Sequence, residues 1–382
     1  MRVVVVGAGF GGLEVATRLS EELGSEAAVV LVDRGEGFVF GFSKLDVMFG
    51  KATEEHVFHR YADIDLPGVT FLRAHVEAID PVAKRIATTD GILEGDVLVV
   101  ALGADLHPEL TPGLVEGGQE FYTVEGAFRA HDALEQFSGG RVVVGVTSTP
   151  FKCPPAPSET ALLVHDLLSG RGLLHSSEVA LVMPLGVPIP PSPDASKAVL
   201  AAFEERGIQW HPERLVRRLD PERGVAVTQD GEEIPYDLFL GIPVHRAPQV
   251  VVDAGMTEDG WIPVDPLTLE TRFPDVYAVG DVTSVGTPKA GVFAEGQAGV
   301  VAAQLVARQR GTTATTSYDG RGICYMEVGG DLVAKVDVTF VSGSRPVGTM
   351  VAPSSANAEE KQRFGEERVH RWFGRSWRPV VR

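Results

Sequence analysis

"RVVVVGAGFGGLEVATRL", residues 2–19, decides the fold. Four consecutive valines read as a strand buried on both faces, the habit of a parallel sheet covered by helices. The run breaks into Gly7, Gly9 and Gly12, spaced G-x-G-x-x-G, and a helical pattern follows at once. Gly7 permits the sharp reversal, Gly9 admits a diphosphate against the backbone, and Gly12 lets helix and strand approach closely. The diphosphate would then rest on the N-terminal end of the helix. A second apolar run, "AAVVLVD" (27–33), ends in Asp33. An acid about 20 residues past the last glycine suits a ribose hydroxyl and repels a 2′-phosphate. Strand, turn, helix, strand and acid together specify a dinucleotide-binding unit at the start of the chain.

Two further apolar runs end in small and acidic residues: "EGDVLVVALGADL" (94–106) in Ala101 and Gly103, and "TRFPDVYAVGDVT" (271–283) in Gly280 and Asp281. Between them "RVVVGV" (141–146) reads as another buried parallel strand. Its turn, "TSTPFKCPPAP" (147–157), keeps only Gly145 of a phosphate pattern and adds Pro154, Pro155 and Pro157. Proline has no N–H, so a diphosphate would lose its backbone donors there. Cys153 stands in that loop, just before a helix opening with Ser158 and Glu159. A thiol near a helix N-terminus is expected to have a lowered pKa and to react as thiolate. The other cysteine is Cys324, in "GRGICYMEVGG" (320–330). On the residues alone the two are either a redox pair or two unrelated small buried hydrophobes.

The 382 residues suffice for two or three domains, and 44% hydrophobic with 23% charged residues describes an ordinary soluble protein. A net charge of −18 excludes a general nucleic-acid binder. No apolar run is long enough to span a bilayer, and the N-terminus lacks a signal-peptide pattern. The expected location is the cytoplasm, with a peripheral place on the inner face of the cell membrane as the variant. Two cysteines make neither a disulfide scaffold nor a zinc site, and His56 and His59 lack companion ligands, so no metal site is read. The C-terminal "KQRFGEERVHRWFGRSWRPVVR" (361–382) interleaves Phe364, Trp372, Phe373 and Trp377 with Arg368, Arg371, Arg375, Arg378 and Arg382. This pattern is expected to lie on an anionic membrane surface, within reach of a lipid-soluble quinone. The competing expectation is a helix packing its aromatics on the protein's own core.

The Gly7–Gly12 turn with the Ala101–Gly103 and Gly280–Asp281 segments resembles the FAD-dependent oxidoreductases with two dinucleotide-binding domains. Within that superfamily, "FKCPPAPSE" with "GICYMEVG", "GFVFGFSKLDVMFGK" (37–51), "LRAHVEAIDPVAKRI" (72–86) and "TPKAGVFAEGQA" (287–298) are similar to the sulfide:quinone oxidoreductases and the flavoprotein subunit of flavocytochrome c sulfide dehydrogenase. The resemblance implies an α/β fold with two Rossmann-like three-layer domains, the FAD domain split in sequence, and a small C-terminal α+β region. The boundaries expected are 1–105 and 255–315 for FAD, 106–254 for a second dinucleotide-like domain without an NAD fingerprint, and 316–382 for the rest. It implies FAD contacts at Gly7, Gly9, Gly12, Asp33, Arg34, Val76, Ala101, Gly103, Gly280, Asp281 and Lys289. The helix "FAEGQAGVVAAQLVARQ" (293–309) would aim its N-terminal end at the flavin pyrimidine ring. It further implies a Cys153–Cys324 disulfide or polysulfide bridge beside the flavin, Glu159 as proton carrier and Lys289 near the ring.

Hydrosulfide would then open the bridge, two electrons would pass to FAD, and a quinone would receive them. A homo-oligomer is expected. The chain departs from many quinone-reducing members in lacking a third cysteine, since "EFYTVEGAFRAHDALEQF" (120–137) has none. That departure leaves a cytochrome partner open as acceptor. The other readings are a type II NADH dehydrogenase-like quinone reductase, against which the missing second glycine motif weighs, a flavoprotein electron-transfer subunit with a cytochrome partner, and a redox sensor using FAD and a disulfide.

Overall fold

The computed structural model describes residues 1–341 and 343–378. Its first sheet is parallel, in the spatial order Val276–Ala278, Val97–Val100, Arg2–Val6, Ala28–Asp33, Val69–Arg73. The valine run has a simple cause. Side chains alternate across a strand, so Val3 and Val5 enter the core under the helices Phe10–Leu23 and Gly291–Arg310, while Val4 and Val6 enter the core on the opposite face. All four are fully buried. The strand Val276–Ala278 joins this sheet only after the whole second sheet has been laid down, so the first domain is split in sequence.

The second sheet, Gln119–Glu120, Leu238–Ile242, Gly140–Val146, Ser177–Val182, Gln209–His211, is also parallel and repeats the first in its connections. In each, the chain runs from a central strand outward through two more. It then makes a three-stranded antiparallel ribbon and returns on the other side of the central strand. Two Rossmann-like units of one topology result, facing each other with their strand ends.

The chain closes with an antiparallel sheet, Arg321–Glu327, Val333–Thr339 and Val347–Ser354, and the helix Ser355–Phe373. Ser354 caps that helix by accepting the Asn357 N–H at 3.2 Å, and Gly374 ends it in the left-handed region at φ 64°. The structure corrects the membrane-surface expectation for this segment. Lys361, Gly365, Val369, Trp372 and Phe373 share one buried face at helical spacing. Trp372 is fully buried, its ring edge-on to Phe10 and Phe38, and Trp377 stacks on Phe40. The arginines are spoken for by the protein's own acids. Arg368 makes two hydrogen bonds to Glu295, Arg371 reaches Glu14 and Glu21, and Arg375 sits 2.8 Å from Asp63. Glu14 is itself wholly buried and also accepts the Trp372 Nε1–H at 3.0 Å. A buried carboxylate is tolerated only when paired in this way. Arg378 remains exposed, and Arg382 lies outside the described residues. Among the described residues no helix is long and apolar enough to cross a membrane.

Candidate active site

The carboxyl ends of the first sheet, the 147–155 loop and the C-terminal strand and helix enclose a cavity of ≈ 430 Å³. Ligands of open α/β sheets bind at such strand ends. One end of it is built by the first glycine turn. Gly7 holds φ at 100°, and a Cβ there would lie 2.4 Å from the Ala101 carbonyl oxygen. A Cβ on Gly12 would lie 1.8 Å from the Gly7 carbonyl oxygen, so helix and strand meet there in backbone contact. Gly9, by contrast, opens on empty space. Asp33 accepts the Ala8 N–H at 2.8 Å and the Gly35 N–H at 2.7 Å, which fixes its carboxylate at the turn.

Tyr61, unremarked in the sequence, donates its hydroxyl to the Ala8 carbonyl at 2.8 Å. Burial, reinforced by Asp33, holds its phenol well above the ordinary value, so it stays a donor. Ala101, Gly103, Gly280, Asp281 and Lys289 line the same cavity. Together these groups fit a dinucleotide: open backbone at Gly9, a helix N-terminus, and acids at both ends. Arg34 and Val76 are not brought to it. Arg34 is exposed, 3.7 Å from Asp105, and Val76 is buried in the core beneath the first sheet.

The other end carries the sulfur. Cys153 holds φ at 50°, outside the ordinary range for a side-chain-bearing residue. The conformation is pinned from two sides: the Cys153 N–H donates to the Lys289 carbonyl at 2.7 Å and its own carbonyl accepts the Ala156 N–H at 2.8 Å. The loop of the second unit is thereby stitched onto the first unit. Cys324, from the C-terminal strand, lines the same cavity, so the fold brings the two cysteines together. Both are free thiols rather than a disulfide. The expectation of a low Cys153 pKa is overturned. Burial, with Cys324 and then Glu159 adding to it, pushes that thiol well up, and burial pushes Cys324 to about 12. Loss of water outweighs the helix end, which begins three residues on.

Glu159 is buried in the same wall and accepts the Glu327 N–H at 2.9 Å. Burial lifts its carboxyl to about 7, against the pull of Lys361, whose ammonium is 4.0 Å away. Lys361 also bonds Glu327 at 2.7 Å, and Glu327 bonds Lys51 at 2.5 Å on its other oxygen. Four remote segments thus form one buried ionic cluster that no local pattern announces. Lys289 donates to the Asp281 and Thr283 carbonyls and lies 3.2 Å over the Trp261 ring.

A family model described as pyridine nucleotide-disulphide oxidoreductase matches residues 1–320. The chain is 24% identical to the mitochondrial sulfide:quinone oxidoreductase of Mus musculus over 356 residues, 88% of this chain and 78% of that one. It is 31% identical to an alternative NAD(P)H-ubiquinone oxidoreductase of Arabidopsis thaliana over 203 residues, 47% of this chain and 38% of that one. The solved structure of the sulfide:quinone oxidoreductase from Aquifex aeolicus superposes with a TM-score of 0.86 at 21% identity, over 98% of this chain and 91% of that one.

Proposed function

This chain belongs to the pyridine nucleotide-disulphide oxidoreductase family and is an FAD-dependent oxidoreductase, and we propose that it oxidises sulfide, or another small reduced sulfur donor, and delivers the electrons to a quinone. One observation carries the reading. Where a second phosphate cradle belongs, the chain places Cys153, and that thiol shares a cavity wall with Cys324 and the buried Glu159. The mitochondrial relative in mouse, matched over most of both chains, bears the name of that reaction.

Gly7, Gly9 and Gly12, with the N-terminus of the helix Phe10–Leu23, would take the FAD diphosphate, Asp33 a ribose hydroxyl and Asp281 the ribityl chain. FAD held there would supply a two-electron acceptor for the sulfur and a donor for the quinone. The protein's own groups do the rest. Burial disfavours thiolate in the resting thiols, so the first nucleophile is the incoming hydrosulfide, and a cysteine sulfur expelled as thiolate is left high in energy and ready to react before it is reprotonated. It opens a Cys153–Cys324 bridge, leaving a persulfide on one cysteine and a thiolate on the other. Glu159, with its carboxyl near 7, takes the persulfide proton. The two sulfur anions then close into a bridge one sulfur longer, and that closure releases the two electrons.

Cys153→Ser and Cys324→Ser test this. Each single variant should lose nearly all sulfide-driven turnover while keeping its FAD, and the double variant should be little worse, because residues acting as a unit are non-additive. A single variant that retains most of its turnover would mean two unrelated cysteines.

A further inference from the structure

Three lysines in the cavity wall have no carboxylate partner. Lys44 donates only to the Tyr122 carbonyl, at 2.6 Å, and Lys152 only to the Ala104 carbonyl, at 2.8 Å. Lys289 has only the Asp281 and Thr283 carbonyls and the Trp261 ring. Among the described residues no acid comes within ion-pairing distance of any of them; Glu120, Glu125 and Asp281 act on Lys44 from farther off. The contrast with Lys361, locked against Glu327 in the same wall, is direct. Ammonium groups drawn out of water need compensation, and a chain with a net charge of −18 has acids enough to provide it.

The three are wired to one another and to the cysteine loop. The Tyr122 hydroxyl donates to the Lys152 carbonyl at 3.0 Å, and Lys152 pairs by backbone with Lys289. His245 cannot add a charge of its own. Burial and the three lysines hold it down to about 3. Its Nε2 accepts the Lys152 N–H at 3.3 Å while Nδ1 lies 2.8 Å from the Pro243 carbonyl, so the proton is on Nδ1. The region is therefore cationic, neighbours the Cys153 thiol, and stands apart from the glycine turn that has its own donors for a diphosphate.

We infer that Lys44, Lys152 and Lys289 form an anion subsite beside Cys153 that draws in the sulfur substrate as a small monovalent anion, hydrosulfide or the charged end of a polysulfide. This rests on the sulfide reading and deepens it: a neutral cysteine pair needs an anionic partner, and the subsite concentrates one. Burial and the repulsion of Lys152 hold Lys44 to about 8, and burial, outweighing the more distant Asp281 carboxylate, holds Lys289 to about 8.

Thiocyanate, a monovalent sulfur anion that does not titrate near neutrality, is the probe. The FAD-loaded protein is titrated calorimetrically at fixed ionic strength, alongside Lys44→Met, Lys152→Met and the charge-preserving Lys44→Arg. The proposal expects saturable binding to the parent protein, weakened about tenfold or more in each Met variant and retained in Lys44→Arg. FAD content, read from the visible spectrum, should be unchanged in Lys152→Met, which carries the test if Lys44→Met folds poorly. No binding to the FAD-loaded parent, binding in both Met variants as tight as in the parent, or loss of FAD from Lys152→Met would overturn it; the last would assign the lysine to the cofactor. Because thiocyanate binding needs no sulfide turnover, a protein that binds it through these lysines yet ignores sulfide would overturn the sulfide reading and leave the subsite standing.

Discussion

The acid that matters most to the proposed chemistry is tuned by residues remote from it in sequence. Glu159 is ionised only above about 7, so its ability to take a proton should rise with pH through that value and level off above it. Lys51, acting across Glu327, favours the carboxylate. Lys51→Met should therefore move the rising limb of flavin reduction by sulfide to higher pH, and Lys51→Arg should restore it. Sulfide itself ionises near neutrality, but that limb would not move with a protein mutation. A limb unmoved in Lys51→Met contradicts the role given to Glu159. Glu159→Gln should lower the reduction rate by about 100-fold. Glu159 and the two cysteines could be read in the sequence because the proline-stiffened loop and its helix are local. Lys44, Lys152, Lys361 and Lys51 could not. Each is an ordinary lysine in its own segment, and only tertiary contact gives it a charge environment. The thiol pKa went the other way for the same reason: helix position is visible in a sequence, whereas the depth of burial is not.

At the scale of elements, the first strand–turn–helix was fully legible, because glycine spacing and a two-faced valine strand are properties of a few consecutive residues. The C-terminal helix was not. Aromatics interleaved with arginines suit a membrane surface and a core contact equally, and what decides between them is the partner. Here the partners are Glu14, Glu21, Glu295 and Asp63, contributed by the FAD unit. The helix is thus a buttress of the first glycine turn, since Trp372 packs on Phe10 within that turn. Trp372→Ala should cost about 3–5 kcal/mol, the usual penalty for emptying a large buried aromatic site. Deleting residues 363–382 should give a chain that loses FAD or fails to fold, measured by thermal unfolding and by flavin retained after gel filtration. A truncated chain that keeps both its FAD and its thermal midpoint would mean that the aromatic face contributes little.

The whole molecule holds two copies of one topology that differ at the turn after the central strand. The first keeps its diphosphate turn. In the second the equivalent turn has no room to serve: Gly145, the surviving glycine, is packed so closely that a Cβ would lie 2.4 Å from the Phe239 ring. The loop beyond it has instead bent over to join the backbone of Lys289 and hold Cys153 at the cavity. The proposed exchange of a nicotinamide turn for a thiol rests on prolines and a cysteine that stand in the sequence. The docking of that loop on the opposite unit could not, because it depends on how two sheets face each other. The central claim is that this exchange replaced the electron donor. Its most direct test is anaerobic stopped-flow mixing of the FAD-loaded protein with sulfide or with NADH at equal concentration, following the visible absorbance of oxidised flavin. A site without donors for a second diphosphate should bleach at least about a hundredfold faster with sulfide than with NADH. Reduction by NADH at a rate equal to or above that with sulfide would contradict the account and make the chain an NADH-dependent quinone reductase.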